Sequence, residues 1–268
     1  MGQPGKETER NGRKPAAIAV LLLLAATGVN GQARFSKAEL SSLTAREIVE
    51  RVDRMMRGDS SRGTVQMEIV TRRWTRTLSL EIHSHGTEQA LIRVLEPKKE
   101  AGTATLKSGS DIWNYLPKID RTIRVPTSMM MGSWMGSHFT NDDLVKESEL
   151  VRDYEISMEF EGVRDEQLVW DILLTPYPDA PVVWGKVLYR VRQKDLMPVF
   201  ARYFGEDGEL KRTAVFSDYR EMGGRLVPAA MKMIPEDKPE EYTLISYRNL
   251  EFDLPIPEGT FSLAALRR

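Results

Sequence analysis

The sequence predicts a mainly β protein of the α+β class: a strongly curved antiparallel sheet, or half-barrel, that a few short helices cover. From Gly63 onward, runs of alternating apolar and polar residues follow one another, which is the pattern of strands with one buried face. Short turn sequences such as Asp207-Gly208 and Gly223-Gly224 separate these runs. Strands joined by short turns favour an antiparallel meander over a doubly wound α/β fold.

The composition is that of an ordinary globular protein. The chain has 268 residues, of which 41% are hydrophobic and 29% charged, enough for one large domain with a substantial core. Its formal net charge of −1 lacks the basic excess of nucleic-acid-binding proteins, so we expect no nucleic-acid partner. The absence of cysteine excludes disulfides, thiol catalysis and cysteine metal sites.

The N-terminus has the pattern of a secretory signal peptide, residues 1–33, followed by a single domain, residues 34–268. Basic residues precede an apolar run at 16–29, and small residues allow cleavage near Ala33. The alternative is an uncleaved anchor, although the run is shorter than the roughly 20 residues of a transmembrane helix. We therefore expect an exported, periplasmic protein with only peripheral or transient membrane contact.

The first helix is predicted by a capping box, in which Thr44 caps the helix start and Glu47 reaches back to it. Gly58 should end this helix. Because its apolar residues share one face, we expect the helix to pack on the sheet. These apolar residues are Ile48, Val52, Met55 and Met56.

Strands are expected wherever the alternating pattern recurs between turns. The predicted runs are 65–69, 74–82, 90–95, 103–106, 113–115, 122–125, 154–160, 167–174, 182–192, 197–204, 211–219, 225–234 and 242–247. A second helix is predicted from Asn141, as its N-cap, to Ser148, with Asp142 and Asp143 in the first turn.

An apolar loop, residues 129–139, lies between the short strands and the second helix. Methionine-rich surfaces accept varied apolar partners, so the loop fits a mobile lip over an apolar cavity. It equally fits a segment folded into the ordinary core, because exposed apolar patches are rare in soluble proteins. The ligand-binding candidates of this region are Trp113, Tyr115, Met129, Met130, Met131, Trp134, Met135 and Phe139.

Two arginines beside this loop, Arg121 and Arg124, are candidates for binding a phosphate or carboxylate head group. Structural ion pairs would explain them equally well. The partners would then be Asp111, Asp120 or Asp143.

The sequence gives little support for catalysis or for a metal site. His83 and His85 share a strand face, but no carboxylate at a clear ligand spacing joins them. A triad of Ser137, His138 and Asp142 or Asp143 lacks the strand–turn–helix setting of an exposed nucleophile. We therefore predict no catalytic residue, no metal and no cofactor.

Two segments resemble the LolA-like family of outer-membrane lipoprotein-sorting proteins. The first is LIRVLEPKKEAGTATLKSGSDIWNYLPKIDRTIRVP, and the second is MGSHFTNDDL, which departs from the family pattern at His138, Thr140 and Asn141. The resemblance extends from about residue 45 to the closing PEGTFSL. It implies a half-barrel with a helical lid over an apolar cavity, and a membrane transporter of the RND or ABC type as partner. Arginines like Arg121 and Arg124 recur in the family pattern.

These observations favour a periplasmic carrier or chaperone that shields the acyl chains of a lipid or lipoprotein and serves a transporter or outer-membrane lipoprotein sorting. An acyl chain needs an enclosed apolar cavity to cross water, since each buried methylene is worth about 0.8 kcal/mol. The alternatives are a periplasmic sensor or interaction module that binds a protein without lipid, and an enzyme on a β scaffold, which has the weakest support.

Overall fold

The computed structural model of the protein describes residues 39, 40, 42–146 and 150–268. The predicted signal peptide lies outside the described residues. None of the helices in these ranges is long and apolar enough to cross a membrane.

Within the described residues, thirteen strands form one antiparallel sheet that is curved and does not close, which confirms the predicted fold class. The strands are β1 (Ser60–Val70), β2 (Thr75–His85), β3 (Gln89–Glu96), β4 (Ala104–Ser108), β5 (Asp111–Leu116), β6 (Arg121–Arg124), β7 (Tyr154–Arg164), β8 (Gln167–Pro176), β9 (Lys186–Arg192), β10 (Pro198–Phe204), β11 (Leu210–Met222), β12 (Arg225–Pro235) and β13 (Tyr242–Phe252).

The strand order makes the chain after β6 cross the sheet. The order is β6-β5-β4-β3-β2-β1-β13-β12-β11-β10-β9-β8-β7, so the first and last strands pair at the centre and β6 and β7 form the two edges. The connection from β6 to β7 must therefore lead from one edge of the sheet to the other. Its described first part, residues 125–146, is called the covering segment below.

The alternating pattern places the core on one face, called the inner face. Val65 pairs with Leu80 and Met67 pairs with Leu78 in the register of β1 and β2, and all four side chains are buried. The intervening residues of β1 are only partly buried or exposed. The alternation of apolar and polar residues thus specifies both the strands and the face of the sheet that is buried in the core.

Helix α1 (Ala45–Arg57) confirms the predicted first helix. Thr44 and Glu47 form the capping box, and Gly58 is the C-cap with a positive φ of 67°. Ile48, Val49 and Val52 are buried in the same cluster as the inner face of the sheet, so the helix packs there.

The second predicted helix is present as α2 (Asn141–Lys146), and α3 (Leu150–Asp153) leads into β7. The predicted end at Ser148 lies outside the described residues. The predicted N-cap was wrong by one residue: the backbone N–H of Thr140 donates to Asp143 Oδ2 at 2.7 Å, and Thr140 Oγ1 accepts from the N–H of Asp143 at 3.1 Å. Thr140 therefore caps α2, which leaves the Asn141 side chain available for another contact.

One predicted strand begins later than its pattern indicated. The run 182–192 becomes β9 only from Lys186, because the chain bends at Val183 and Gly185 before it. Trp184 instead packs against Tyr203 at a ring distance of 5.2 Å.

The outer face of β3, β4 and β5 carries a second, smaller apolar cluster. The C-terminal residues Ala265 and Leu266 are buried there against Leu91 and Leu106. Arg93 fastens this segment, since its guanidinium donates to the carbonyls of Leu266 at 3.1 Å and Ala265 at 2.6 Å.

Candidate functional site

A cavity of about 370 Å³ lies between the inner face of the sheet, helix α1 and the covering segment. This volume is within the range of small-molecule sites, which are typically about 300–1,000 Å³. Most of its wall is apolar. The strands contribute Val65, Leu80, Ile92, Val187, Ala201 and Phe216, among others.

A buried ion pair fastens the covering segment to the far half of the sheet. Asp143 of α2 accepts two hydrogen bonds from Arg212 of β11, one of them at 2.7 Å from Nη1 to Oδ2. The guanidinium of Arg212 also lies 4.4 Å from the ring of Trp184 and 4.6 Å from that of Tyr203. The charged side chain is thereby held in place by a bidentate partner and by two aromatic faces.

The apolar loop combines the two interpretations that its sequence left open. Trp134 and Phe139 are buried and line the cavity, and Trp134 Nε1 donates to Thr105 Oγ1 of β4 at 3.1 Å. Met129 and Met131 instead remain 58% and 49% exposed. Part of the loop is therefore core, and part presents methionine side chains at the surface.

The two remaining methionines, Met130 and Met135, are half-buried, and Met135 packs against the main core cluster. Its carbonyl accepts a hydrogen bond from Arg76 Nη1 at 2.8 Å. Arg76 is also paired with Glu100, so this contact ties the loop to the beginning of β2.

Asn141 holds the turn of the apolar loop closed. Its side-chain Nδ2 donates to the carbonyls of Met129 at 3.1 Å and Gly132 at 3.2 Å, and the residue is buried. Each carbonyl also accepts a backbone N–H, that of Gly132 on Met129 and that of Asn141 on Gly132, so the amide adds a second hydrogen bond to each acceptor of this turn.

Replacing Asn141 with alanine is expected to lower the free energy of unfolding by about 1–3 kcal/mol, because the two hydrogen bonds of a buried amide are lost. The backbone amides of residues 129–134 should then exchange with deuterium faster. Hydrogen exchange followed by mass spectrometry measures this directly. Unchanged exchange in this segment would contradict the anchoring role.

Residues 137 and 138 anchor the loop rather than forming a triad. Ser137 Oγ donates to the carbonyl of Trp134 at 2.7 Å, whereas His138 Nδ1 lies 2.9 Å from Thr243 Oγ1 and Nε2 lies 3.6 Å from Glu241. Asp143, one of the two candidate aspartates, is paired with Arg212. The hydroxyl, imidazole and carboxylate therefore have separate partners.

The pKa of Glu241 is lowered, first by the backbone N–H of Arg72 and then by His138. The contribution of this carboxylate to stability is therefore present at neutral pH and is lost as the pH falls through the lowered pKa.

Trp113 and Tyr115 lie away from the cavity. Both pack against the second apolar cluster on the outer face, together with Phe261. Sequence reasoning had expected them at the cavity mouth, and their place under the C-terminal segment gives no support for that expectation. A period of two shows that they share a face, but not which face that is.

The two candidate head-group arginines lie on the edge strand β6 and do not line the cavity. Arg124 pairs with Asp111 and lies 5.9 Å from the ring of Trp113, as the structural alternative had foreseen. Arg121 is exposed. Contact of either arginine with a ligand stays a prediction.

Sequence reasoning missed the polar end of the cavity, where Lys107 and Arg57 line the wall. Lys107 is only 5% exposed, and its Nζ donates to the carbonyls of Thr87 at 2.6 Å and Val145 at 3.1 Å. The predicted fourth strand ended at Leu106, one residue before this lysine. Extending the alternation from Thr105 to Lys107 would have placed a cation on the inner face.

Comparison with known proteins finds one matching family. A family described as "Uncharacterized protein" matches residues 86–268, more than half of the chain. No curated protein matches the sequence.

Solved structures with a similar fold include a Vibrio parahaemolyticus domain provisionally described as an outer membrane lipoprotein-sorting protein. It is 21% identical, covering 84% of this chain and 98% of its own, with a TM-score of 0.73. A DUF1329 family protein from Desulfovibrio piger is 21% identical, covering 83% and 97%, with a TM-score of 0.75. A LolA superfamily protein from Nitrosomonas europaea is 22% identical, covering 84% and 100%, with a TM-score of 0.70. The chain thus belongs to the family of uncharacterised proteins that matches residues 86–268, and its fold is that of the LolA superfamily.

Proposed function

We propose that this protein is a non-enzymatic periplasmic carrier that holds an acyl chain of a lipid or lipoprotein in the cavity. The observation that carries the proposal is the apolar cavity of about 370 Å³ between the sheet and its cover. Each methylene moved from water into such a space gains about 0.8 kcal/mol. A similar structure is described as a lipoprotein-sorting domain, which is consistent with this proposal.

The covering segment would then control the entry of the acyl chain into the cavity and its release. Its anchors are individual contacts, such as the pair between Asp143 and Arg212 and the buried rings of Trp134 and Phe139, rather than a continuous strand pairing. A partner that binds the open form more tightly would drive release, because a partner shifts such an equilibrium only by its differential affinity. We propose a membrane transporter of the RND or ABC type as that partner, reached through transient contact of the exposed Met129 and Met131.

Native mass spectrometry with lipid extraction tests the carrier function on protein purified from the periplasm without detergent. We expect a bound acyl-chain ligand at one per protein. The variant Ala201→Trp should lose it, because Ala201 is in the cavity wall and a tryptophan there would project into the empty space. Excluding about four methylenes costs about 3 kcal/mol, or more than about a hundredfold in Kd.

The control is Thr77→Trp, which adds the same side chain at an exposed position of β2 outside the cavity wall. It should keep the ligand, and both variants should keep the thermal unfolding temperature close to that of the wild type. A ligand-free wild-type protein that also fails to take up fluorescent fatty acid would reject the carrier function. It would favour the alternative, a sensor or interaction module that binds a protein without lipid.

A further inference from the structure

The cavity adjoins a second, polar pocket at the C-terminal end of α1. The two share Asp53, Arg57, Gly86 and Thr87 in their walls. Gly86 leaves this junction open, since a side chain built on it would meet no atom within 4 Å. A ligand whose acyl chain fills the cavity could therefore place its head group in the polar pocket.

Charged residues line the passage from the cavity to the outer pocket. Lys107 lines only the apolar cavity, and Arg57 lines the junction. Glu50 and Asp59 line only the outer pocket, together with Arg54.

The carboxylates nearer the cavity, Asp53 at the junction and Asp143 in the cavity wall, are each paired with an arginine. A ligand along this path would therefore meet Lys107 and the Arg57–Asp53 pair next to its acyl chain, and further carboxylates farther out.

Arg57 has unused hydrogen-bonding capacity at the junction. Its Nη2 pairs with Asp53 one turn earlier in the helix. Its Nε is buried and has no hydrogen-bond partner among the described residues. A buried N–H without an acceptor costs about 1–3 kcal/mol, so an anionic oxygen supplied by a ligand would be favourable there.

We propose that the ligand is an aminophospholipid, with its phosphate at the Arg57 junction and its ammonium group beside Glu50 and Asp59. This inference rests on the proposed carrier function. In such a lipid the phosphate lies next to the glycerol and the ammonium farther out, which matches Arg57 at the junction and Glu50 and Asp59 in the outer pocket. A diacylglycerol, or the acylated cysteine of a lipoprotein, carries no phosphate to match the guanidinium.

Isothermal titration calorimetry on the purified protein tests the proposal with three dioctanoyl lipids that share their acyl chains: phosphatidylethanolamine, phosphatidylglycerol and diacylglycerol. We expect phosphatidylethanolamine to bind at least about tenfold more tightly than diacylglycerol, with phosphatidylglycerol in between. Inorganic phosphate, added as a competitor, should not displace the lipid, because it gains nothing from the apolar cavity. Displacement by phosphate at lipid-like concentrations would reveal an anion site and overturn the proposal.

The variant Arg57→Gln should remove the preference for phosphatidylethanolamine over diacylglycerol and leave the affinity for diacylglycerol unchanged. Arg248→Gln, at an exposed position away from both pockets, is the matched control and should change neither affinity. If Arg57→Gln fails to fold, Arg57→Lys keeps the charge but loses the planar fork, and it should reduce the preference severalfold. The double variant Glu50→Gln, Asp59→Asn should bring phosphatidylethanolamine down to the affinity of phosphatidylglycerol.

The outcomes separate this proposal from the carrier function. If diacylglycerol binds as tightly as phosphatidylethanolamine, the head-group assignment is wrong and the carrier function stands. If phosphatidylglycerol binds as tightly as phosphatidylethanolamine, the role of the two carboxylates is overturned. If none of the three lipids binds, the carrier function itself fails.

Discussion

Replacing Asp143 with alanine is expected to lower the free energy of unfolding by about 3–5 kcal/mol, the usual cost of removing one partner of a buried ion pair. The Arg212 side chain is only 8% exposed and lies between two aromatic rings, so it cannot turn to water without breaking those contacts. The charge would stay buried without the Asp143 carboxylate. Urea unfolding at equilibrium measures the loss.

Two comparisons show whether burial causes this effect. Glu251→Ala removes a carboxylate whose pair with Arg62 is half-exposed, and it should cost less than about 1 kcal/mol. Asp143→Leu combined with Arg212→Met replaces both charges by apolar groups and should recover much of the lost stability. A cost for Asp143→Ala below about 1 kcal/mol would show that the pair does not hold the covering segment.

Most of the fold could be predicted because strands and caps are specified locally. The alternation of Val65, Met67 and Ile69 is visible in the sequence and reappears as the buried face of β1. The capping box of Thr44 and Glu47 is equally local and appears as expected. Each of these features depends on residues within about one turn or one strand of each other.

The site was harder to predict because it depends on which segments meet across the sheet. Trp113 and Tyr115 alternate as expected, but they pack on the outer face in the same cluster as the C-terminal Phe261, which is far away in sequence. Arg57 is a basic residue in the last turn of α1, and only the neighbouring cavity gives it another role. Binding sites arise from such long-range juxtapositions, which local patterns do not encode.

The second prediction concerns the apolar loop. Its side chains are similarly apolar in sequence, but they differ in burial in the structure. Trp134→Ala should cost about 3–5 kcal/mol, since it empties a buried site and removes the hydrogen-bond donor to Thr105. Met131→Asp should change stability by less than about 0.5 kcal/mol, because Met131 is half-exposed and packs little. Equilibrium unfolding of the two variants, under the same conditions, gives the difference.

The two substitutions also separate the loop's structural part from its functional part. If Met131→Asp leaves stability and lipid content unchanged but slows lipid transfer to acceptor vesicles, the exposed methionines act in contact with a membrane or partner, as proposed. If it instead destabilises the protein as much as Trp134→Ala does, the whole loop is core and the surface role fails. The stability of the wild type is the same test for a mobile cover and for a core segment, because the buried Trp134 stabilises the loop in either case. The exposed Met131 therefore shows whether the loop has a surface role in addition to its role in the core.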